Sequence, residues 1–446
     1  MVALTAVGFA AQVQAAPVRN EGASVNHIPC SRPGGNPESS RATAADVRNT
    51  GLLHSQEHGG LWETRCFIFG TAAGNGIAVA PGRAYADGYG YEPGSPALFS
   101  VAAAPGNYRV TVTLGRRDAA TTTTIKAESR RLMLDAVAVP KGRSVTRSFI
   151  VNVRDAALAP PPANAPGGDR VLLKPRERGS FSWDDKLTLE FLGDAPSAIV
   201  IERVVVPTVF LLGDSTVTDQ PAEPAASWGQ MLPVFFNPDV AVANHAESGE
   251  TLKSFMSELR FAKVLESVKP GDTALIQFGH NDQKVQWPQT YAAAETTYRD
   301  YLRAWIAEFR RRGVTPILVT SPERRMWTGT RIKPTLADYA AAVKAVAAQD
   351  KVAVIDLNAA SIAFYEALGP DRAPLAFNDG GKDATHHDNY GAWVLARSVA
   401  RGIAGLPLGA HLAAELPAFD PGRPPDPATF RLAPSVTRDA TRPDGS

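Results

Sequence analysis

Two rhythms of apolar and polar positions divide the chain near Pro207. Before it, short runs alternate apolar with polar or β-branched residues. Residues 97–101 and 108–114 bracket the turn Ala104-Pro105-Gly106-Asn107, and 121–125, 148–153 and 186–191 continue the series. Period-two alternation rich in Thr, Val and Ile fits a half-buried pleated surface, so these runs predict strands. Several in succession predict an all-β sandwich over 61–206. Residues 159–168 are too proline-rich for a strand and predict an exposed loop within it.

After Pro207 apolar strands alternate with helical periodicity. Strands are expected at 240–244, 272–278, 315–320 and 352–356. Helices are expected at 251–265, 291–312 (closed by Gly313), 336–349 and 390–402. Strand and helix in alternation predict a parallel sheet covered on both faces, over 207–416. The proline-rich tail 417–446 and the Gly, Pro, Ser and Asn-rich segment 17–60 read as irregular.

Residues 1–16 are small and apolar and end in Val13-Gln14-Ala15-Ala16, like the end of a secretory signal peptide without its basic opening. A secreted or periplasmic protein is the expectation. Lys and Arg number 46 against 45 Asp and Glu, so no broad basic surface for nucleic acid is implied. No apolar stretch is long enough to span a bilayer, and no membrane partner is expected. The two cysteines, Cys30 and Cys66, fit either one disulfide in an oxidising compartment or two unpaired thiols. They lack the histidine pattern of a zinc site, and no metal or other cofactor is expected.

Chemistry concentrates at the ends of the later strands. The apolar run 204–212 leads directly into Gly213-Asp214-Ser215-Thr216, placing a hydroxyl at the carboxyl edge of a sheet. Open α/β sheets bind their ligands at that edge. Three more segments fall at the same edge: 244–249 (Asn-His-Ala-Glu-Ser-Gly), 279–282 (Gly-His-Asn-Asp) and 383–386 (Asp-Ala-Thr-His). A serine there needs a base, and His386 is the candidate. Ser215 would attack a carbonyl, and His386 would take its proton and return it to the leaving group. Asp383 stands three residues before His386. On a helical turn that spacing puts both side chains on one face, where the carboxylate orients the imidazole.

These segments, in this order, resemble the four sequence blocks of the SGNH (GDSL) hydrolases, and within them the rhamnogalacturonan acetylesterase branch. The resemblance covers about 207–416. It implies a flavodoxin-like α/β/α fold, preceded here by the all-β sandwich, and hydrolysis of acetyl esters on pectic polysaccharide. By the same resemblance the oxyanion donors would be the Ser215 and Gly249 backbone N–H groups and the Asn281 side chain. Asp214 would support the turn. His245 and His280 would hydrogen-bond within the loops, His280 also being a candidate substrate contact. His387 reads as a solvated or substrate-facing neighbour of His386. Where the branch carries Gly-Arg-Ser, this chain has Gly249-Glu250-Thr251, so Glu250 is either a surface exchange or an altered substrate contact.

The sandwich resembles galactose-binding-like, carbohydrate-binding accessory domains. Tyr85, Tyr89 and Tyr91 are candidates to stack on sugar rings, with residues 88–91 as a binding or interdomain loop. Trp62 and Trp183 read as core packing. Together these features predict a carbohydrate esterase acting on acetylated plant cell-wall polysaccharide or oligosaccharide. The rivals are a lipase-like or thioesterase-like SGNH enzyme and a non-catalytic carbohydrate-binding protein.

Overall fold

The computed structural model describes residues 64–70, 76–414 and 416–437. The expected signal segment, the irregular leader, Cys30 and Trp62 lie outside the described residues. Cys66 is disulfide-bonded.

Two five-stranded sheets form the sandwich. One holds, in spatial order, Ile77–Val79, Arg65–Phe69, Ala198–Val204, Gly106–Leu114 and Val145–Val153. The other holds Tyr89–Tyr91, Leu98–Ala102, Lys186–Gly193, Thr121–Ala127 and Arg131–Val139. Their inward residues interdigitate as a single core built on Phe67, Phe99, Val110, Leu189 and Ile199. Phe99 sits at its centre, 5.4 Å from Phe67 and 5.1 Å from Phe69 between ring centroids.

This packing corrects one expectation. Residues 88–91 are not a free loop, because Tyr89–Tyr91 is an edge strand paired with Leu98–Ala102. Tyr91 packs edge-on against Phe99 at 5.5 Å, and Tyr89 lies 5.3 Å from Phe67. Both rings are committed to the core rather than held out as sugar platforms. Tyr85 is half-buried, with Lys186 Nζ 4.5 Å above its ring.

The long apolar stretch across Pro207 is two strands rather than one. Ala198–Val204 closes the sandwich and Thr208–Gly213 opens the second sheet. Between them Val205 is 91% exposed, so a very short link joins the two cores.

The second sheet is wholly parallel. Its spatial order is Ala241–Asn244, Thr208–Gly213, Thr273–Gln277, Thr315–Val319, Ala353–Ile355, the 2-1-3-4-5 order of a flavodoxin-like sheet. Alternate residues of each strand serve opposite faces. Phe210 and Leu212 pack with Leu252–Ser257, Arg260–Ser267, Thr297–Arg311 and Ala337–Asp350. Val209 and Leu211 pack with Trp228–Met231, Leu357–Arg372 and Asn389–Ile403. The result is a three-layer α/β/α domain.

Three elements depart from the sequence pattern. The helix expected over 251–265 breaks in two at Leu259, which adopts φ 63°. The helix expected from 291 begins only at Thr297. Leu357–Arg372 was not expected. It is apolar over much of its circumference and carries Gly369-Pro370 near its end, so it shows little helical contrast in sequence.

The tail has neither helix nor strand among its described residues, yet it is packed. Phe419, Phe430 and Leu432 lie on the core of the α/β domain. Ser435 then reaches the sandwich, where its Oγ donates to Glu190 at 2.7 Å and accepts from Lys126 at 2.7 Å.

Candidate active site

Ser215 stands just beyond Thr208–Gly213 in a tight, buried turn. Gly213 has to be glycine, since a Cβ there would meet Val217 Cγ2 at 2.5 Å and the Gln277 carbonyl at 2.8 Å. Asp214 organises the turn. Its Oδ1 accepts from the Thr216 backbone N–H at 3.0 Å and from Thr216 Oγ1 at 2.8 Å. Its Oδ2 lies 3.3 Å from His280 Nδ1. Burial alone would raise the Asp214 carboxyl, but the hydrogen bonds from His280 and the Thr216 donors hold it low. His280 is itself pushed down by burial, so a neutral imidazole donates to an ionised Asp214. Behind the turn, Gln220 Nε2 donates to the Ser215 carbonyl at 2.8 Å.

His386 Nε2 lies 2.8 Å from Ser215 Oγ, and His386 Nδ1 lies 2.8 Å from Asp383 Oδ2. The other carboxylate oxygen accepts from the backbone N–H groups of Thr385 at 2.8 Å and His386 at 3.0 Å. Burial would raise the Asp383 carboxyl, but His386 and these two donors overcome it and hold it at about 2. An ionised carboxylate only accepts, so Nδ1 carries the proton and the Nε2 lone pair faces the serine. The shared face of Asp383 and His386 comes from a turn, not from the helix the spacing suggests. Asp383 closes that turn on itself by capping the N–H groups of Thr385 and His386.

Of the expected oxyanion donors, Gly249 adopts φ 80°, in the left-handed region that favours glycine. Asn281 is buried and its Nδ2 donates to the Glu250 carbonyl at 3.0 Å. Asp282 Oδ1 accepts from the Leu252 N–H at 3.0 Å, tying the second segment to the third.

The segments that carry this geometry fall within a match to a known family. Residues 211–394 match the family described as GDSL-like Lipase/Acylhydrolase. Over 220 residues the chain is 40% identical to rhamnogalacturonan acetylesterase RhgT of Bacillus subtilis (strain 168), covering 46% of this chain and 93% of that one. The chain belongs to the GDSL (SGNH) hydrolases. Probable rhamnogalacturonan acetylesterase YesY of the same organism is 35% identical, over 45% of this hydrolase and 94% of its own length. Its uncharacterized esterase YxiM is 28% identical over 319 residues, covering 69% of this chain and 75% of that one. This hydrolase is an esterase.

Three expected roles need correction. His387 is neither solvated nor facing substrate. It is buried, and its Nε2 lies 2.7 Å from the Tyr365 hydroxyl. Glu250 is neither a surface exchange nor a cleft residue. Its side chain is 0% exposed, with Lys174 Nζ at 2.5 Å and Ser254 Oγ donating to it at 2.6 Å. His245 joins the hydrolase by ring packing, 5.6 Å from Phe210 and 5.8 Å from Trp183.

Sequence reasoning also missed two arginines. Arg325 NH2 donates to the Asp383 carbonyl at 3.3 Å, and Arg324 NH2 donates to the His280 carbonyl at 3.1 Å. Both follow Thr315–Val319 at the same sheet edge as the other segments, and that position was the available signal.

Proposed function

We propose that this hydrolase removes acetyl groups from pectic polysaccharide of the rhamnogalacturonan class. The observation that carries the reaction is the unbroken hydrogen-bonded chain Asp383–His386–Ser215, with 2.8 Å at each link. The resemblance to RhgT over nearly all of that protein supports the substrate class.

In this reading His386 Nε2 takes the Ser215 proton as Oγ attacks the acetyl carbonyl. Asp383 keeps the imidazole in the right tautomer and stabilises the imidazolium. The new oxyanion meets the N–H groups of Ser215 and Gly249 and the second Nδ2 hydrogen of Asn281. His386 then protonates the departing sugar oxygen, and water releases acetate from the acyl-enzyme by the same base. The Cys66 disulfide and the apolar start of the chain support an oxidising, secreted or periplasmic location.

Acetate release from acetylated rhamnogalacturonan, acetylated xylan and a small aryl acetate tests the proposal. Release from rhamnogalacturonan is expected, with none from Ser215→Ala. A folded Ser215→Ala enzyme of near-normal turnover would end the mechanism. Release from xylan alone would end the substrate assignment.

A further inference from the structure

Gly249 lies on a loop without regular structure, yet a backbone donor must point in one direction before the oxyanion forms. The peptide unit bearing the Gly249 N–H carries the Ser248 carbonyl at its other end. A trans peptide is planar, so fixing that carbonyl fixes the N–H. Lys174 Nζ donates to the Ser248 carbonyl at 2.5 Å. Lys174 is not part of the α/β domain. It belongs to the excursion between the sandwich strands Val145–Val153 and Lys186–Gly193.

The same excursion grips the loop on both sides of that peptide. Arg176 Nε donates to Glu247 Oε1 at 2.7 Å. The Lys174 ammonium also contacts the buried Glu250 carboxylate at 2.5 Å. Glu177 anchors the excursion, accepting from Arg260 NH1 at 2.9 Å, Trp183 Nε1 at 2.9 Å and the Lys174 backbone N–H at 2.9 Å. An ammonium on a peptide carbonyl also polarises the unit and strengthens the opposite N–H as a donor. The acidic residue at position 250 thereby has a physical reason. It is the counter-charge that seats Lys174.

We propose that Lys174, supported by Arg176 and Glu250, is a positioning residue for the oxyanion loop, so the sandwich domain takes part in turnover. This rests on the reading of Gly249 as an oxyanion donor.

The test uses the full chain and an aryl acetate. Lys174→Met keeps the aliphatic stem and removes the ammonium. It should lower kcat ~10–100-fold, on the scale of a misaligned donor, and leave KM within about threefold. Lys174→Arg should recover part of the loss. Arg176→Gln should lower kcat in the same way, and serves as the second probe if Lys174→Met folds poorly. Asp155→Ala is the control. It breaks another interdomain ion pair, with Lys263 Nζ at 3.1 Å, that does not touch the loop, and kcat should stay at the wild-type value. Wild-type kcat in folded Lys174→Met and Arg176→Gln would overturn the proposal. So would an equal loss in Asp155→Ala, which would make domain packing in general the cause. A fully active Ser215→Ala enzyme would instead indict the underlying hydrolase mechanism.

Discussion

The His387 imidazole lies 2.7 Å from the Tyr365 hydroxyl, with the two rings stacked at 5.9 Å between centroids. Its neighbour His386 faces Ser215 instead. Adjacent histidines therefore separate two tasks, one in the reaction and one in the core. His386→Ala should lower turnover by at least ~10⁴-fold, as expected for a triad member. His387→Ala should lose stability while kcat stays within about tenfold. Equal kcat losses in the two folded variants would place the base incorrectly.

Burial holds the His387 imidazole at about 3, against 6.5 when unfolded. The unfolded chain thus binds this proton between those values and the native state does not. Stability falls as pH drops from about 6.5 toward 3. In His387→Gln the slope over pH 6 to 4 should be shallower by up to ~1.4 kcal/mol per pH unit, the limit for one proton. Urea titrations at stepped pH measure it. An unchanged slope would show that His387 does not titrate on unfolding.

Asn281→Ala should lower kcat by ~10²–10³-fold, the scale for one lost oxyanion donor. Steady-state kinetics on a small acetate ester read this directly. A change of only a few fold would remove Asn281 from that role.

Glu250→Arg would set a cation in a closed site already holding Lys174 and Arg260, whose Nε is 3.5 Å from the Glu250 carboxylate. Removing one member of a buried ion pair costs ~3–5 kcal/mol, and adding a like charge adds to that. Loss of stability, rather than a new preference for acidic substrates, is the expected result. A melting temperature close to wild type would show that the pocket opens to water.

Ser435→Ala removes the hydroxyl shared by the buried Lys126 and Glu190. A lost partner for buried charged groups costs ~1–3 kcal/mol. A denaturant midpoint equal to wild type would mean that the tail does not hold the two domains.

Much of the hydrolase domain was legible because its signals are local. Thr208–Gly213 announces itself as a continuous apolar run, the pattern of a strand buried on both faces. The long helix ending at Arg311 shows its apolar stripe and is followed by Gly313. The break at Leu259 was not legible, because leucine normally favours helix and only the surrounding contacts hold it at positive φ. Tyr89 and Tyr91 misled because a glycine-spaced aromatic segment looks the same in sequence whether it forms an exposed loop or an edge strand over Phe99.

The sequence by itself determined the two-domain plan of strands followed by alternating strands and helices. It also determined the order of the four segments that end at one sheet edge. Both follow from side-chain period and from chain direction in a parallel sheet, which short stretches encode. Only the tertiary structure decided that His387 is buried against Tyr365, that Glu250 is buried against Lys174, and what holds the Ser248–Gly249 peptide. Those answers depend on contacts such as Lys174 to Ser248, between residues far apart in the chain. Whether a charge is exposed or buried against its partner depends on how the two domains pack, and no local pattern of residues specifies that.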